Sequence, residues 1–251
     1  MPADKQAGFW LEPYDSSMAK GRKAAPKEIT RPQLGAPREP HEIRGAALSI
    51  LRWLGLDTRS VAHPLDIAWK LGRKPEAYAP RGCHGALVGS TVHVGAAGPE
   101  PKIFWVLAHE LAHIVADIFG WPRPHREDEI NALAAAMWIT PRGIRRAVET
   151  VGYAPRELIR LFGSVPASVV LQQLAIERDA IVIARLQGRR RVYHPAHSVV
   201  PAEATRWEVE HLRAARYGAQ EPFLFGGEIS SFPDPAGGEG CAIVWPLEAT
   251  D

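Results

Sequence analysis

The chain has 251 residues, long enough for one sizeable core and a smaller appendage, and 46% of them are hydrophobic and 23% charged. Its net charge of +2 gives no bulk electrostatic basis for binding nucleic acid. The two cysteines, Cys83 and Cys241, form no disulfide framework or metal-ligand pair, and no stretch approaches the roughly 20 apolar residues that span a bilayer. We therefore expect a cytoplasmic protein with no membrane partner.

The first part of the chain predicts an arm, two helices and a hairpin. Residues 1–40 are basic and rich in Pro and Gly, and we expect them to be disordered because they cannot bury enough apolar surface to offset their ordering entropy. Apolar spacing predicts a helix over 41–56, and Pro64 predicts the start of a second helix, which Gly72 ends. Residues 85–96 alternate valines with small or polar residues, which predicts a strand or hairpin.

The middle of the chain is predicted to be helical. The longest predicted helix covers residues 103–119 and is ended by Gly120 and Pro122. Apolar spacing and proline positions predict that four more helices follow, over 127–139, 142–150, 155–162 and from Pro166.

After about residue 186 the pattern changes to a basic turn over 188–192 that is followed by a possible strand, an amphipathic helix over 203–217 and two strand-like pieces, PFLFGGEISSF and CAIVWPL. These elements predict an α+β fold in three parts. The disordered arm comes first. A helical core with a small antiparallel sheet covers residues 41–185, and a small α/β C-terminal region covers 186–251.

The segment His109-Glu110-Leu111-Ala112-His113 places an HExxH motif inside the longest predicted helix. Residues i and i+4 lie on one helix face, so both imidazoles can reach one zinc ion at about 2.0–2.1 Å. Glu110 is rotated by about 100° from His109, so it can act on the water at the ion's open position without being a ligand. The flanking residues are apolar, and buried His and Glu side chains are costly unless paired or coordinated. The motif therefore predicts a zinc metallopeptidase with Glu110 as its general base.

A catalytic zinc needs a third protein ligand, and the acidic residues after the motif offer several. Glu127, Asp128 and Glu129 open the next predicted helix, and Asp117 lies four residues after His113. The helix dipole also favours negative residues in a first turn, which explains most of the trio without a metal. Spacing alone leaves the choice of ligand open.

Four phrases within about residues 41–180 resemble the ImmA/IrrE family of zinc metallopeptidases: HPLDIAWKLG, HGALVGSTVHVG, IFWVLAHELAHIVAD and EDEINALAAAMWITPR. By motif position, the resemblance implies that His109 and His113 are zinc ligands and that Glu110 is the catalytic base. It also implies that Glu127 is the third ligand.

Glu127 takes that position because it precedes Asn131 by four residues, as in the family motif. The stretch from Asn131 to Pro141 is one residue longer than the common form, which keeps Glu129 as the alternative third ligand. The following segment, ELIRLFGSVPASVVLQQLA, resembles the helix-turn-helix-like helices of the family.

The resemblance implies an endopeptidase that cleaves a specific protein partner, such as a DNA-binding repressor, in a stress-response, mobile-element or defence context. The alternative is a non-catalytic regulatory module that binds DNA or a partner and has a structural zinc site. Direct binding to nucleic acid is left open by the sequence.

Several other residues could contribute to such a site. His93 could line a cleft in which substrate binds as an added strand, and Cys83 could approach the zinc as a redox-sensitive thiolate. An oxyanion stabiliser is also needed, and the candidates are His125, Tyr153, His194 and His197.

Overall fold

The structure is a computed structural model that describes residues 39–78, 85–95, 98–186, 189–193, 228–233 and 239–246. Over these residues the chain contains both helices and small sheets, which confirms the α+β class. In chain order the elements are α1 (Pro40–Trp53), α2 (Pro64–Lys70), β1 (Lys74–Tyr78), β2 (Gly85–Val88), β3 (Thr91–Gly95), α3 (Glu100–Ile118), α4 (Glu127–Trp138), α5 (Pro141–Val151), α6 (Pro155–Phe162), α7 (Ala167–Arg178), β4 (Ala180–Leu186), β5 (Arg189–Tyr193), β6 (Glu228–Pro233) and β7 (Glu239–Pro246). The predictions for residues 1–38, for 203–217 and for Cys83, His194 and His197 lie outside the described residues.

Helix α3 carries the HExxH motif and packs against α2, α4 and the strands β2 and β3. It begins after Pro99, and beyond its end Gly120 adopts a φ of 73°, a left-handed conformation that glycine accommodates without steric cost. Its apolar side chains from Ile103 to Ala116 are buried along most of its length. Despite this apolar character, none of the helices in the described part of the chain has the length and hydropathy needed to cross a bilayer.

Helix α4 packs against both α1 and α3, and all its residues from Leu133 to Trp138 are buried. Two hydrogen bonds fix its C-terminal end to the segment that precedes α2. The N–H of Ala62 donates to the carbonyl of Trp138 at 2.9 Å, and the buried hydroxyl of Thr140 donates to the carbonyl of Thr58 at 2.9 Å. The position of α4 determines where the acidic residues of its first turn lie relative to α3.

The first sheet has the strand order β1-β3-β2 and lies beside α3. Strands β2 and β3 form the predicted hairpin, with Gly85 opposite Val94 and Val88 opposite Thr91. Strand β1 was not predicted, and it pairs in parallel with β3, so this sheet is mixed rather than purely antiparallel. Strand β2 occupies one edge of the sheet.

The second sheet is antiparallel, in the order β5-β4-β7-β6. Strand β4 was not predicted, and it begins directly after α7, before the boundary expected near residue 186. The arginines Arg189–Arg191 were expected in a turn, but they lie within β5. This expectation was wrong because an edge strand can keep charged side chains in solvent, and all three are exposed. Buried side chains of β4 and β7 belong to the same core as α7.

Candidate metal centre

His109 and His113 lie on one face of α3, one helical turn apart. Their Nε2 atoms are 3.2 Å from each other, and the two rings meet edge to face with 4.8 Å between their centroids. The two side chains are 21% and 27% exposed, although the opposite side of α3 is buried. The helix therefore presents a pair of imidazole nitrogens at a surface that solvent can reach.

The carboxylate of Glu127 lies beside this pair of histidines. Its Oε2 is 3.3 Å from Nε2 of His109, and its Oε1 is 3.6 Å from Nε2 of His113. Glu127 is the first residue of α4, so the packing of α4 against α3 brings it there. These three side chains form a group that could hold a metal ion.

The other acidic candidates face elsewhere. Glu129 and Asp128 both pair with Arg126, at 3.4 Å and 2.8 Å. Asp117 accepts hydrogen bonds from Arg123 through both of its carboxylate oxygens. Among the residues that spacing left open, the structure brings Glu127 to the two histidines and pairs the rest with arginines.

The distances within the group suit a tetrahedral ion. Ligand atoms bound to zinc at about 2.0–2.2 Å and separated by a tetrahedral angle are about 3.3–3.5 Å from one another. The two Nε2 atoms are 3.2 Å apart, and Glu127 places Oε2 3.3 Å from Nε2 of His109 and its other oxygen, Oε1, 3.6 Å from Nε2 of His113. The donor set of two imidazoles and one carboxylate is one that zinc accepts, and it leaves a fourth position open.

The environment of His109 indicates which of its nitrogens carries the proton. Its Nδ1 is 3.0 Å from Oδ1 of Asn131 on α4. An amide oxygen only accepts, so Nδ1 carries a proton, and in the neutral ring Nε2 then presents a lone pair to His113 and Glu127. A lone pair and a carboxylate that face each other are stabilised by a cation between them, so the residues present fit a metal ion.

Glu110 does not belong to this group of three, but it lies close to it. Burial raises the pKa of its carboxyl above the usual range, the charge of His109 opposes this, and the charge of Glu127 adds to it. On its other side Glu110 meets Gly85 of β2 so closely that a Cβ built on that glycine would lie 2.5 Å from Oε1 of Glu110. No motif or spacing in the sequence indicates this contact.

The remaining sequence candidates have other surroundings where they are described. His93 lies on β3, the central strand of its sheet, with Nδ1 4.0 Å from Oε2 of Glu76. The ring of Tyr153 lies under the guanidinium of Arg178, 4.7 Å from the centroid to Cζ. His125 was a candidate oxyanion stabiliser, but it lies behind His113 and contacts the ring nitrogen that faces away from Glu127.

Comparison with known proteins finds a likeness of fold. No family model matches the chain, and no curated protein matches it. Among solved structures, a Mycobacterium tuberculosis transcriptional regulator is similar with a TM-score of 0.54 and 15% sequence identity, over 81% of this chain and 75% of that chain. At this identity the likeness concerns the fold alone.

Proposed function

We propose that this chain is a zinc-dependent endopeptidase, similar to the ImmA/IrrE family, that cleaves a specific protein partner in the cytoplasm. A DNA-binding repressor is the partner class that the family resemblance suggests. The observation that carries the proposal is the set of three ligand atoms from His109, His113 and Glu127, with the carboxylate of Glu110 beside it but outside it. Three protein ligands and an adjacent general base are the arrangement of a hydrolytic zinc site, whereas a structural site has four protein ligands.

Each residue has a distinct role in this proposal. His109, His113 and Glu127 would hold the zinc ion, which when bound lowers the pKa of a water ligand to about 7 and polarises the substrate carbonyl. Glu110 accepts a proton from the attacking water and transfers it to the amine that leaves. Its half-buried position, which raises the pKa of its carboxyl, suits a group that must both take up and release a proton.

The edge strand β2 gives the proposal a place for the substrate. In the described part of the chain β2 pairs with β3, and no strand pairs along its other edge. Its first residue, Gly85, lies against Glu110, while Leu87 and Val88 are 44% and 63% exposed. An extended peptide could add to this edge through main-chain hydrogen bonds, and its backbone would then run beside the general base.

The second candidate function is a regulatory module that binds DNA or a partner and has a structural zinc site. The likeness to a transcriptional regulator is compatible with it, but rests on the fold alone. The helix-turn-helix-like element would be α6 and α7, and its second helix would have to lay one face in the major groove. None of the α7 side chains is fully exposed, and both Gln173 and Leu174 are completely buried. We therefore favour the peptidase.

The substitution Glu110→Gln tests the proposed function. Gln is nearly isosteric with Glu and cannot take the proton of water, so zinc content should stay at one per chain while cleavage falls by about 10²–10⁴-fold. Zinc is measured by elemental analysis. Cleavage is measured by mass spectrometry of new N-termini, in a proteome-derived peptide library and in the proteins encoded beside this chain.

Glu100→Gln is the matched control, since it makes the same change in the exposed first turn of the same helix. It should leave both zinc content and cleavage as in the wild type. Cleavage products that are equally abundant with Glu110→Gln would contradict the peptidase. A biological effect that survives Glu110→Gln in cells would favour the regulatory module.

A further inference from the structure

Two histidine rings are stacked behind the candidate metal centre. The ring of His125 lies nearly parallel to that of His113, with an interplanar angle of 23° and 5.4 Å between centroids. Nδ1 of His125 is 3.1 Å from Nδ1 of His113. The side chain of His125 is only 6% exposed, so the loop before α4 holds this ring inside the protein.

A contact between two ring nitrogens at this distance requires one proton between them. If His113 donates, its proton is on Nδ1 and its Nε2 carries a lone pair toward Glu127, as a metal ligand must. If His125 donates, neutral His113 carries its proton on Nε2 and cannot bind a metal through that atom. The direction of this one hydrogen bond therefore decides whether His113 is available as a ligand.

Asp117 favours the first arrangement. Its Oδ1 lies 3.4 Å from Nε2 of His125. This is an ion-pair distance, although the two atoms do not meet the geometry of a hydrogen bond. A carboxylate next to Nε2 favours a proton on that nitrogen, and neutral His125 then has an acceptor at Nδ1. Arg123 donates to both oxygens of Asp117 and lowers the pKa of this carboxyl, which keeps it charged.

We propose that His125 and Asp117 are positioning residues that hold His113 in the tautomer that binds metal through Nε2. The inference rests on the proposed zinc centre. It assigns to His113 two contacts outside the metal site, and these correspond to the contact that Asn131 makes with Nδ1 of His109. Such outer contacts of metal-binding histidines commonly change metal affinity by about 10–100-fold.

The first test measures the zinc dissociation constant of the full chain by competition with a chelator. His125→Phe keeps a stacked ring but removes the acceptor, and it should weaken zinc binding by about 10–100-fold. His125→Asn places an amide oxygen where Nδ1 was, and it should recover most of the affinity. His41→Asn, on an exposed histidine of α1, should change nothing. Unchanged affinity in His125→Phe, or equal losses in the Phe and Asn variants, would overturn the proposal.

The second test reads the tautomer directly in the zinc-free wild-type protein. The ¹⁵N chemical shifts should show a protonated Nδ1 on His113 and an unprotonated Nδ1 on His125, whose proton is on Nε2, and Asp117→Ala should shift the population toward His125 protonated on Nδ1. A wild-type His125 that donates from Nδ1 to an unprotonated Nδ1 of His113 would overturn the inference. If the wild type failed to bind zinc, the proposed function would fail, while the tautomer measurement would still decide this inference separately.

Discussion

Gly85 is the point at which the edge strand comes closest to the candidate base. A Cβ at this position would lie 2.5 Å from Oε1 and 2.7 Å from Cγ of Glu110, closer than real contacts allow. Something must therefore shift when a side chain is added there. The Glu110 carboxylate is the far end of a flexible side chain, whereas β2 is tied to β3 by its ladder, so the carboxylate is what moves.

Gly85→Ala should therefore displace the base without disturbing the ligands. We expect kcat of the peptidase to fall by about 10²-fold, the cost typical of a displacement of about 1 Å in a catalytic group. Zinc content should remain at the wild-type value. The control is Gly45→Ala on α1, where an added Cβ meets nothing within 4 Å and activity should not change. An unchanged kcat in Gly85→Ala would show that Glu110 is not the base or does not depend on this contact.

The residues of the candidate site were predictable to different degrees. His109 and His113 are related by one turn of a single helix, a geometry that depends on nothing else in the fold. Glu127 lies beyond the end of α3 and the following loop, so its place depends on how α4 packs, and sequence spacing alone could not choose it. Gly85 and His125 have no periodic relation to the motif, and only the folded chain brings them to it.

At the scale of elements, α2 shows how a half-buried histidine supports the site helix. His63 caps α2, accepting through Nδ1 a hydrogen bond from the N–H of Leu65 at 3.3 Å. Its ring also meets that of Phe104 on α3 edge to face, with 4.5 Å between centroids. Burial lowers the pKa of His63, although the charges of Asp66 and Glu100 oppose this.

This lowered pKa makes part of the stability depend on pH. The unfolded chain takes up a proton on His63 near pH 6.5, while the folded chain resists it, so protonation favours unfolding as the pH falls below about 6.5. His63→Asn keeps a good capping side chain that does not titrate. We expect the loss in free energy of unfolding between about pH 7.5 and pH 5.5 to be smaller in the variant.

Urea unfolding of the zinc-free proteins at the two pH values measures this difference. The wild type and His63→Asn carry the same other titrating groups. The difference between their losses in free energy of unfolding therefore reports on His63 alone. His41→Asn serves as the control, because His41 is exposed. An equal loss of stability in wild type and His63→Asn would mean that His63 takes up its proton freely in the folded protein.

The strands that the sequence did not predict have identifiable physical reasons. In β4 all residues from Ala180 to Ala184 are buried, so there is no alternation, and a short apolar run cannot be told from a helix by its period. Asp179 follows the last residue of α7 and adopts a φ of 51°, a conformation that is usual for glycine or asparagine. Because neither residue is present there, the sequence had no clear signal for the end of the helix. β1 contains Pro75, which counts against a strand, but β1 lies at a sheet edge, where proline is tolerated.

At the scale of the whole molecule, the candidate metal centre links two helices that the core already holds together. His109 and His113 lie on α3, and Glu127 lies at the start of α4. Both helices contribute to one hydrophobic core, with Leu111 and Leu133 completely buried in it. A metal ion at this position binds the folded chain, because unfolding separates the three ligands, so it must stabilise the fold by mass action.

Adding zinc should therefore raise the stability of the wild-type chain. At a free concentration 100 times the dissociation constant, the gain in free energy of unfolding is about 2.7 kcal/mol, which for a chain of this size raises Tm by about 5–11 °C. Thermal unfolding followed by circular dichroism, with chelator and with zinc, measures the shift.

Glu127→Gln and Glu129→Gln form the decisive pair of variants for this experiment. Both remove one carboxylate from the first turn of α4, so both lose a similar interaction with the helix dipole. Only Glu127→Gln changes a carboxylate that lies beside His109 and His113, since Glu129 pairs with Arg126 instead. At one fixed zinc concentration, the zinc-dependent rise in Tm should shrink in Glu127→Gln and persist in Glu129→Gln. The opposite order would make Glu129 the third ligand, and equal full shifts in both variants would place the bound zinc elsewhere on the chain.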